Sequence, residues 1–464
     1  MLKLPFKGRR GSYEIDMTNG PLLGKIVRFA IPLALAGILQ LLFNAADIVV
    51  AGRFAGSQAL AAVGSTGALN MLIINLFMGL SVGVNVLVAR FYGAGNFKDL
   101  SETVHTAILT ALGCGIALVF IGMGLSRPLL SLMGTPADVI DQSVLYMRIV
   151  FAGMPALMLY NFGAAILRAV GDTQRPLYFL LMSGVINVLL NLFCVIVLRM
   201  GVAGVATATV VSQCISAVLV VLCLIRSNAP YQLDVKALRI YKSKLLQMTK
   251  IGVPAGIQGA MFSLSNVVIQ SNINSFGSIA MAGSTAAGNI EGFVFTAEDA
   301  FAQAALSFTG QNYGAKKFGR INKVLINCLL LVTAVGAVLG AAAYFFAPAL
   351  LGIYSTDPQV IGYGAQRMLL VCLPHFICGA MGIFTGSMRG LGSSLAPMVI
   401  TVFGTCVLRV VWVYTVFPLF PTWQMLFLSY PISWFVTGAI QFAVFLHLKK
   451  KAQSKMAETT PPSP

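Results

Sequence analysis

The side chains in this sequence with the types and spacing to do chemistry are acids set in apolar surroundings. Between Phe29 and Val50 the one formal charge is Asp47, in the stretch LLFNAADIVVAG. Gln40, Asn44 and Asp47 fall at i, i+4 and i+7, so they share one face of a helix. Ser183, Asn187 and Asn191 fall at i, i+4 and i+8, and Thr209 and Gln213 at i and i+4, so each set also shares one face. Brought together, these stripes form an oxygen-rich pocket around one carboxylate. A pocket of that kind can ligate Na+, or it can hold a carboxyl that takes up and loses a proton. Either event neutralises and then restores a buried charge, and so biases a protein between two arrangements.

A second group of acids lies further on. Glu291 and Glu298 are seven residues apart and share a helix face, while the neighbouring Asp299 points about 100° away. Arg409 forms a stripe with Thr401 and Thr405. The expectation is that Arg409 neutralises one of these three acids, Glu298 first among them. Glu291, Glu298, Asp299 and Arg409 are candidates for a substrate or second cation site, with a structural role the alternative for Glu291. A lone histidine on an apolar face, such as His375, is expected to be a satisfied structural residue. An unpaired charge at the centre of a bilayer costs about 2.5–3.5 kcal/mol on insertion scales, so each of these residues requires a reason.

The elements that must position them follow from composition. Of 464 residues, 58% are hydrophobic and 10% charged, and the mean hydropathy is +0.86. A soluble domain carries about 25% charged residues. This chain is therefore expected to be an all-α integral membrane protein, built from apolar stretches of about 20 residues rather than the alternating strands of a barrel. Twelve spans are predicted, at 24–50, 59–89, 101–124, 139–164, 174–198, 202–225, 245–271, 279–308, 321–346, 359–384, 394–417 and 424–447. No cleavable leader is predicted, because the polar start is followed by an apolar segment too long for one.

Charge sets the expected orientation. Arg53, Arg127 and Arg199 fall on one side, and Arg148, Arg367 and Arg409 lie within spans; the rest of the 31 Lys and Arg share the other side. That asymmetry predicts both termini in the cytoplasm of a multi-pass membrane protein. The net charge of +17 is read as topology, and no nucleic-acid partner is expected, since no basic cluster interleaved with aromatics appears. The eight cysteines (Cys114, Cys194, Cys214, Cys223, Cys328, Cys372, Cys378, Cys406) all fall in apolar spans, with no CxxC pair, and read as packed free thiols.

The sequence also repeats itself. AIPLALAGILQ (30–40) answers to GVPAGIQGAMF (252–262), and ALAAVGSTGALN (59–70) to SIAMAGSTAAGN (278–289). ARFYGAGNFKDL (89–100) matches GQNYGAKKFGRI (310–321), YMRIVFAGMP (146–155) matches QRMLLVCLP (366–374), and LRAVGDTQRP (167–176) matches MRGLGSSLAP (388–397). One offset near 220 residues relates all five pairs. Six spans per half imply two six-helix bundles related by a pseudo-two-fold axis along the membrane normal. The expected divisions are a cytoplasmic segment at 1–23, bundles at 24–226 and 245–448, a cytoplasmic connection at 227–244 and a basic disordered tail at 449–464. The paired Pro155 and Pro374 are expected to kink their spans.

At these motifs the sequence resembles the multidrug and toxic compound extrusion (MATE) family. FNAADIVVAGRFAG, GQNYGA and the pair LRAVGDTQRP and MRGLGSSLAP carry the resemblance, which covers roughly residues 20–447. The stretch from Gly288 to Gly319 looks most like the bacterial DNA-damage-inducible and staphylococcal multidrug types. The resemblance implies a twelve-helix exporter coupled to inward H+ or Na+ flow, with small organic molecules and the lipid bilayer as its partners and no cofactor. It also implies a cation site made by an Asp on span 1, an Asn and an Asp on span 5 and a Thr on span 6. Asp47, Asn187 and Thr209 match that pattern. Asn191 stands where many members have Asp, which removes one carboxylate and leaves a proton as the simpler coupling ion. Members with a second site place Glu on span 7 and Asp on span 10, where this sequence has Phe262 and Cys378. That site is expected to be absent.

The leading expectation is a monomeric antiporter for amphipathic, often cationic compounds. The alternative is a flippase or exporter of lipid-linked or polysaccharide precursors, which would want a strongly cationic cavity. Asp47, Glu291, Glu298 and Asp299 set against Arg148, Arg367 and Arg409 do not supply one. An enzyme is not expected: GSTG (64–67) is not a nucleophile elbow, no HExxH occurs, and His105, His375 and His447 are scattered. No re-entrant filter segment suggests a channel. Plentiful Met and Phe suit a tolerant ligand wall, although most must pack helices or face lipid.

Overall fold

In the computed structural model, residues 13–459 are described, and among them the chain is helical from end to end with no strand. The first half contains α1 (Leu23–Val50), α2 (Ser57–Gly93), α3 (Phe97–Leu132), α4 (Ile140–Ala152), α5 (Met154–Ala169), α6 (Gln174–Leu192) and α7 (Val202–Ile225). The second contains α8 (Lys242–Asn274), α9 (Ser278–Gly314), α10 (Phe318–Phe345), a short α11 (Ala347–Gly352), α12 (Pro358–Val371) and α13 (Phe376–Gly390). It ends with α14 (Leu395–Thr401), α15 (Leu408–Thr415) and α16 (Trp423–Thr459).

Among the described residues, 9 helices are long and apolar enough to cross a membrane, and two bent pairs bring the number to 11. The twelfth expected span is α9, whose 37 residues are long enough but are made less apolar by Glu291, Glu298 and Asp299. The bent pairs are α4 with α5 and α12 with α13, each turned by 46°. Pro155 stands at the start of α5 and Pro374 in the break before α13. A proline removes a backbone donor and crowds the preceding turn, so the two kinks have one cause, repeated.

Three helices open into π-helical turns: Ala51–Ala55 after α1, Phe193–Val197 after α6 and Val402–Val407 between α14 and α15. Two of them directly follow the stripes that carry Asp47 and Asn191. Wide turns of this kind occur often at functional sites, where they rotate the side chains that follow.

The contacts divide the chain into two compact units. Unit 1 contains residues up to Gly20, Leu39–Met71 and Ser81–Thr249; unit 2 contains Pro21–Ile38, Leu72–Leu80 and the residues from Lys250 onward. The boundary therefore runs inside α1 and α2, whereas the sequence placed it between 226 and 245. The reason is close packing in unit 2: a Cβ on Gly79 would stand 2.1 Å from the Gly256 nitrogen, and one on Gly37 2.3 Å from Thr296. Small residues let these backbones approach to a distance that larger ones forbid.

Within unit 1 the connection after α7 is packed rather than free. Tyr231 and Leu233 are buried. The Asp234 backbone meets the His105 ring at 3.2 Å, and Lys244 Nζ lies 2.6 Å from Asp99. The segment before α1 is tied down as well, with Tyr92 and Tyr231 both donating to the Glu14 carboxylate at 3.1 and 2.6 Å. At the other end α16 continues to Thr459, so residues 449–459 are helical and not the expected disordered tail. Their Lys, Ala, Gln and Met are good helix formers and extend the last span. Residues 1–12 of the predicted N-terminal segment and 460–464 of the predicted tail lie outside the described residues.

Candidate functional site

The Asp47 site is built in unit 1 by three helices. Asp47 sits near the end of α1 and is 8% exposed. From α6, Asn191 Nδ2 donates to Asp47 Oδ1 and also, at 3.3 Å, to Asn187 Oδ1. From α7, Thr209 Oγ1 donates to Asp47 Oδ2 at 3.2 Å. Each carboxylate oxygen therefore has a donor in place of water, which a charge in apolar surroundings needs. Val50 and Ala51, just after Asp47 in the chain, pack with Val195, Val202 and Val205 in one apolar cluster. One polar atom is unused: Asn191 Oδ1 is buried without a hydrogen-bond partner.

Four of the expected residues thus meet: Asp47, Asn187, Asn191 and Thr209. Gln40 and Asn44 do not; both are exposed and neither bonds to this group. For Asn44, less than one turn away, exposure makes the difference, since it is exposed where Asp47 is buried; for Gln40 it is helical rise. Gln40 is seven residues from Asp47, about 10.5 Å along the axis, so a shared face does not put the two side chains at one depth. Ser183 donates to the Leu180 carbonyl on its own helix, at 3.1 Å. The sequence reading missed Tyr146 of α4, which packs against the same apolar cluster. A tyrosine in an apolar span is the signal that marks it.

Unit 2 holds the other acids, and the structure pairs them differently from the expectation. Arg367 Nη2 contacts Glu291 Oε2 at 2.7 Å, while its Nη1 donates to the Ser284 carbonyl and hydroxyl at 2.9 and 2.6 Å. Glu298 Oε2 bonds to His375 Nδ1 at 2.7 Å. Arg409 does not neutralise Glu298, which corrects the expected pair. Its Nε donates to Ser433 Oγ at 2.9 Å, and its guanidinium lies 4.0 Å from the Tyr430 ring centre and 5.5 Å from that of Trp434. The kink at Pro374 turns His375 toward α9, so the imidazole takes the place given to the arginine. Aromatic faces then hold the planar cation. Asp299 accepts from Gln303 at 2.7 Å.

The rest of the Arg409 stripe belongs to a polar network. Thr401 accepts from Gln258 and Gln441 at 3.2 and 2.9 Å, Gln441 also donates to Thr385, and Arg389 donates to Gln258 Oε1 at 2.8 Å. Thr405 bonds to Thr437 at 2.9 Å. Phe262 and Cys378 pack against an apolar cluster that contains Trp423, Phe427 and Trp434, and neither supplies a carboxylate. Among the described residues no three His, Cys, Asp or Glu side chains converge as metal ligands.

Comparison with known proteins identifies the family. The MatE family model matches the chain twice, over residues 32–193 and 254–415. The two matches coincide with the internal repeat. The probable multidrug resistance protein YoeA of Bacillus subtilis (strain 168) is 32% identical over 384 residues, covering 81% of this chain and 82% of its own length. An FAD transporter of Shewanella oneidensis is 25% identical over 392 residues, covering 83% of this chain and 86% of its own. Among solved structures, an outward-facing multidrug resistance MATE family transporter of the MOP superfamily superposes with a TM-score of 0.88 at 20% identity, over 94% of this chain and 98% of that one. The fold is shared throughout, and a family match to both halves shows that the chain belongs to the MATE family of membrane transporters.

Proposed function

We propose that this transporter is a cation-coupled efflux antiporter, which exports amphipathic, often cationic organic compounds by alternating access as protons or Na+ flow inward. In this reading it works as a monomer in a bacterial inner membrane, with both termini on the cytoplasmic side where its Lys and Arg concentrate. The observation that carries the reading is Asp47, a carboxylate buried in a bundle and held by donors from two other helices. Loading it with a cation cancels its charge and changes what Asn191 and Thr209 bond to. A bistable bundle can convert that local change into helix movement.

The arrangement favours a proton over Na+. Asn191 turns its N–H, not its oxygen, toward both Asp47 and Asn187, an orientation that supports a proton over an ion needing oxygen ligands. Na+ would require the amide to rotate and present its free Oδ1. The substrate class is supported by relatives named as multidrug resistance proteins. A carrier of lipid-linked or polysaccharide precursors gains no support from unit 2, where Arg367 is already committed to Glu291. The test is uptake of a fluorescent lipophilic cation into proteoliposomes under an imposed pH gradient or an imposed Na+ gradient. Uptake driven by the pH gradient and abolished by a protonophore is the expected result. Absence of transport under both gradients would remove the coupling claim.

A further inference from the structure

The geometry points to a second proton-binding site, formed by Glu298 of α9 and His375 at the α12–α13 break and separate from Asp47. Both side chains are 2% exposed, and Glu298 Oε2 meets His375 Nδ1 at 2.7 Å. The other carboxylate oxygen, Oε1, is buried without any hydrogen-bond partner. Two glycines make room for this carboxylate. A Cβ on Gly336 of α10 would stand 2.2 Å from Glu298 Oε1, and one on Gly379 of α13 would stand 2.9 Å from its Cδ and Oε2. Two neighbouring helices have thus given up a side chain at the same carboxylate, which marks a built niche rather than a tolerated acid.

The niche suits a proton and no larger cation. Glu298 is bonded to a nitrogen, and no oxygen of another residue bonds to it; Na+ would need a shell of oxygens. With Nδ1–H donating to the carboxylate, one further proton on Nε2 turns neutral imidazole into imidazolium beside its counter-ion. The pair stores one proton and keeps its hydrogen bond. When the proton leaves, the pair returns to one negative charge.

Fixed charges around the pair make that change count. On α9 itself are Glu291, balanced by Arg367 of α12, and Asp299, which accepts from Gln303. α13 adds Cys378 and α16 adds Tyr430, while α10 presents the glycine. Arg409 of α15 is a permanent cation with no carboxylate partner, and one of its nitrogens, Nη2, is buried and unbonded. It reaches the imidazole through Trp434, whose ring lies 5.1 Å from that of His375 and 5.5 Å from the guanidinium. With Glu291 balanced by Arg367 and Asp299 by Arg389 of α13, the unprotonated pair and Arg409 cancel, whereas the protonated pair leaves one positive charge uncompensated among these groups. Proton occupancy here therefore biases unit 2 in the way that occupancy of Asp47 biases unit 1.

The inference rests on the coupling reading for its part in transport, but proton binding can be measured without transport. The full-length protein, reconstituted in nanodiscs with 15N-labelled histidine, gives imidazole signals for three residues, and His375→Gln identifies the one of interest. The expected result is that the His375 ring changes protonation between roughly pH 5 and 9, and that Glu298→Gln shifts this transition. In proteoliposomes, Glu298→Gln is expected to lower by one the number of protons moved per substrate, and Glu298→Asp to restore it. A His375 ring that stays neutral in one tautomer across that range overturns the proposal. So does a Glu298→Gln protein with the wild-type proton count. Should Glu298→Gln fail to fold, the titration of His375 in the wild-type protein decides alone. Failure of Asp47 as the coupling residue would leave the titration standing, so the two readings fall separately.

Discussion

Replacing Arg367 with methionine isolates how unit 2 tolerates its acids. The guanidinium joins Glu291 Oε2 at 2.7 Å to two acceptors on Ser284, and the paired side chains are 12% and 17% exposed. Arg367→Met keeps the length of the side chain but leaves the Glu291 carboxylate without a cation. Removing one partner of a buried pair costs about 3–5 kcal/mol, mostly the penalty of the charge left behind. Glu291→Gln keeps an acceptor for Arg367 and should cost less, about 1–3 kcal/mol. Independent effects would sum in the double variant. The structure predicts otherwise: once the carboxylate is neutral, loss of the arginine strands no charge, only the Ser284 acceptors that either arginine variant loses, so the double variant should be about 2 kcal/mol more stable than Arg367→Met alone. The assay is reversible SDS-induced unfolding from mixed micelles, followed by tryptophan fluorescence near Trp423 and Trp434. An Arg367→Met protein within about 1 kcal/mol of wild type, or a double variant that falls by the full sum, would refute this account of the pair.

Further predictions concern unit 1. Gly184→Ala puts a Cβ 1.8 Å from the Phe43 ring, so α6 must move away from α1; a loss of about 1–3 kcal/mol is expected, read as a lower melting temperature with weaker transport. Tyr231→Phe removes the 2.6 Å donor to Glu14 and should cost about 1.5–3 kcal/mol locally, seen as faster proteolysis before Leu23 with the rest of the protein intact. The pH dependence of stability has a defined sign at Asp172, in the turn between α5 and α6. Burial raises its carboxyl above the ordinary aspartate range, opposed by the nearby Arg175. Its contribution to stability is therefore full below the unfolded value, about 3.9, and is lost as pH rises through the folded value. Asp172→Asn should flatten that decline in melting temperature and leave the acid side unchanged.

Large parts of this fold were legible because membranes impose simple rules. Apolar length gave the spans, and a span must satisfy its own backbone, so helix followed directly. The repeat was legible in residues such as Pro155 and Pro374, which carry the same 46° bend in both halves. The Asp47 cluster was half legible. Periodicity identified the helix faces of Asp47, Asn187, Asn191 and Thr209, but it carries neither depth nor exposure, and so it also admitted Gln40 and Asn44. Charge pairing in the second half was not legible. Which cation reaches Glu298 depends on a kink that turns His375 inward and on Tyr430 and Trp434 holding Arg409, and these contacts bridge residues far apart in the chain. The unit boundary inside α1 and α2 was hidden for the same reason, because close packing of Gly79 on Gly256 leaves no periodic mark.

The central claim is that Asp47 carries the coupling cation. It is tested most directly by proton flux in proteoliposomes containing wild-type protein or Asp47→Asn, measured with an internal pH dye while a lipophilic cation is supplied on the opposite side. The asparagine keeps an oxygen for Thr209 but cannot take up a proton or present a full negative charge. The account predicts substrate-dependent proton movement in wild type and a loss of at least about 100-fold in Asp47→Asn, equivalent to about 2.8 kcal/mol. An Asp47→Asn protein that moves substrate and protons at the wild-type rate would contradict it.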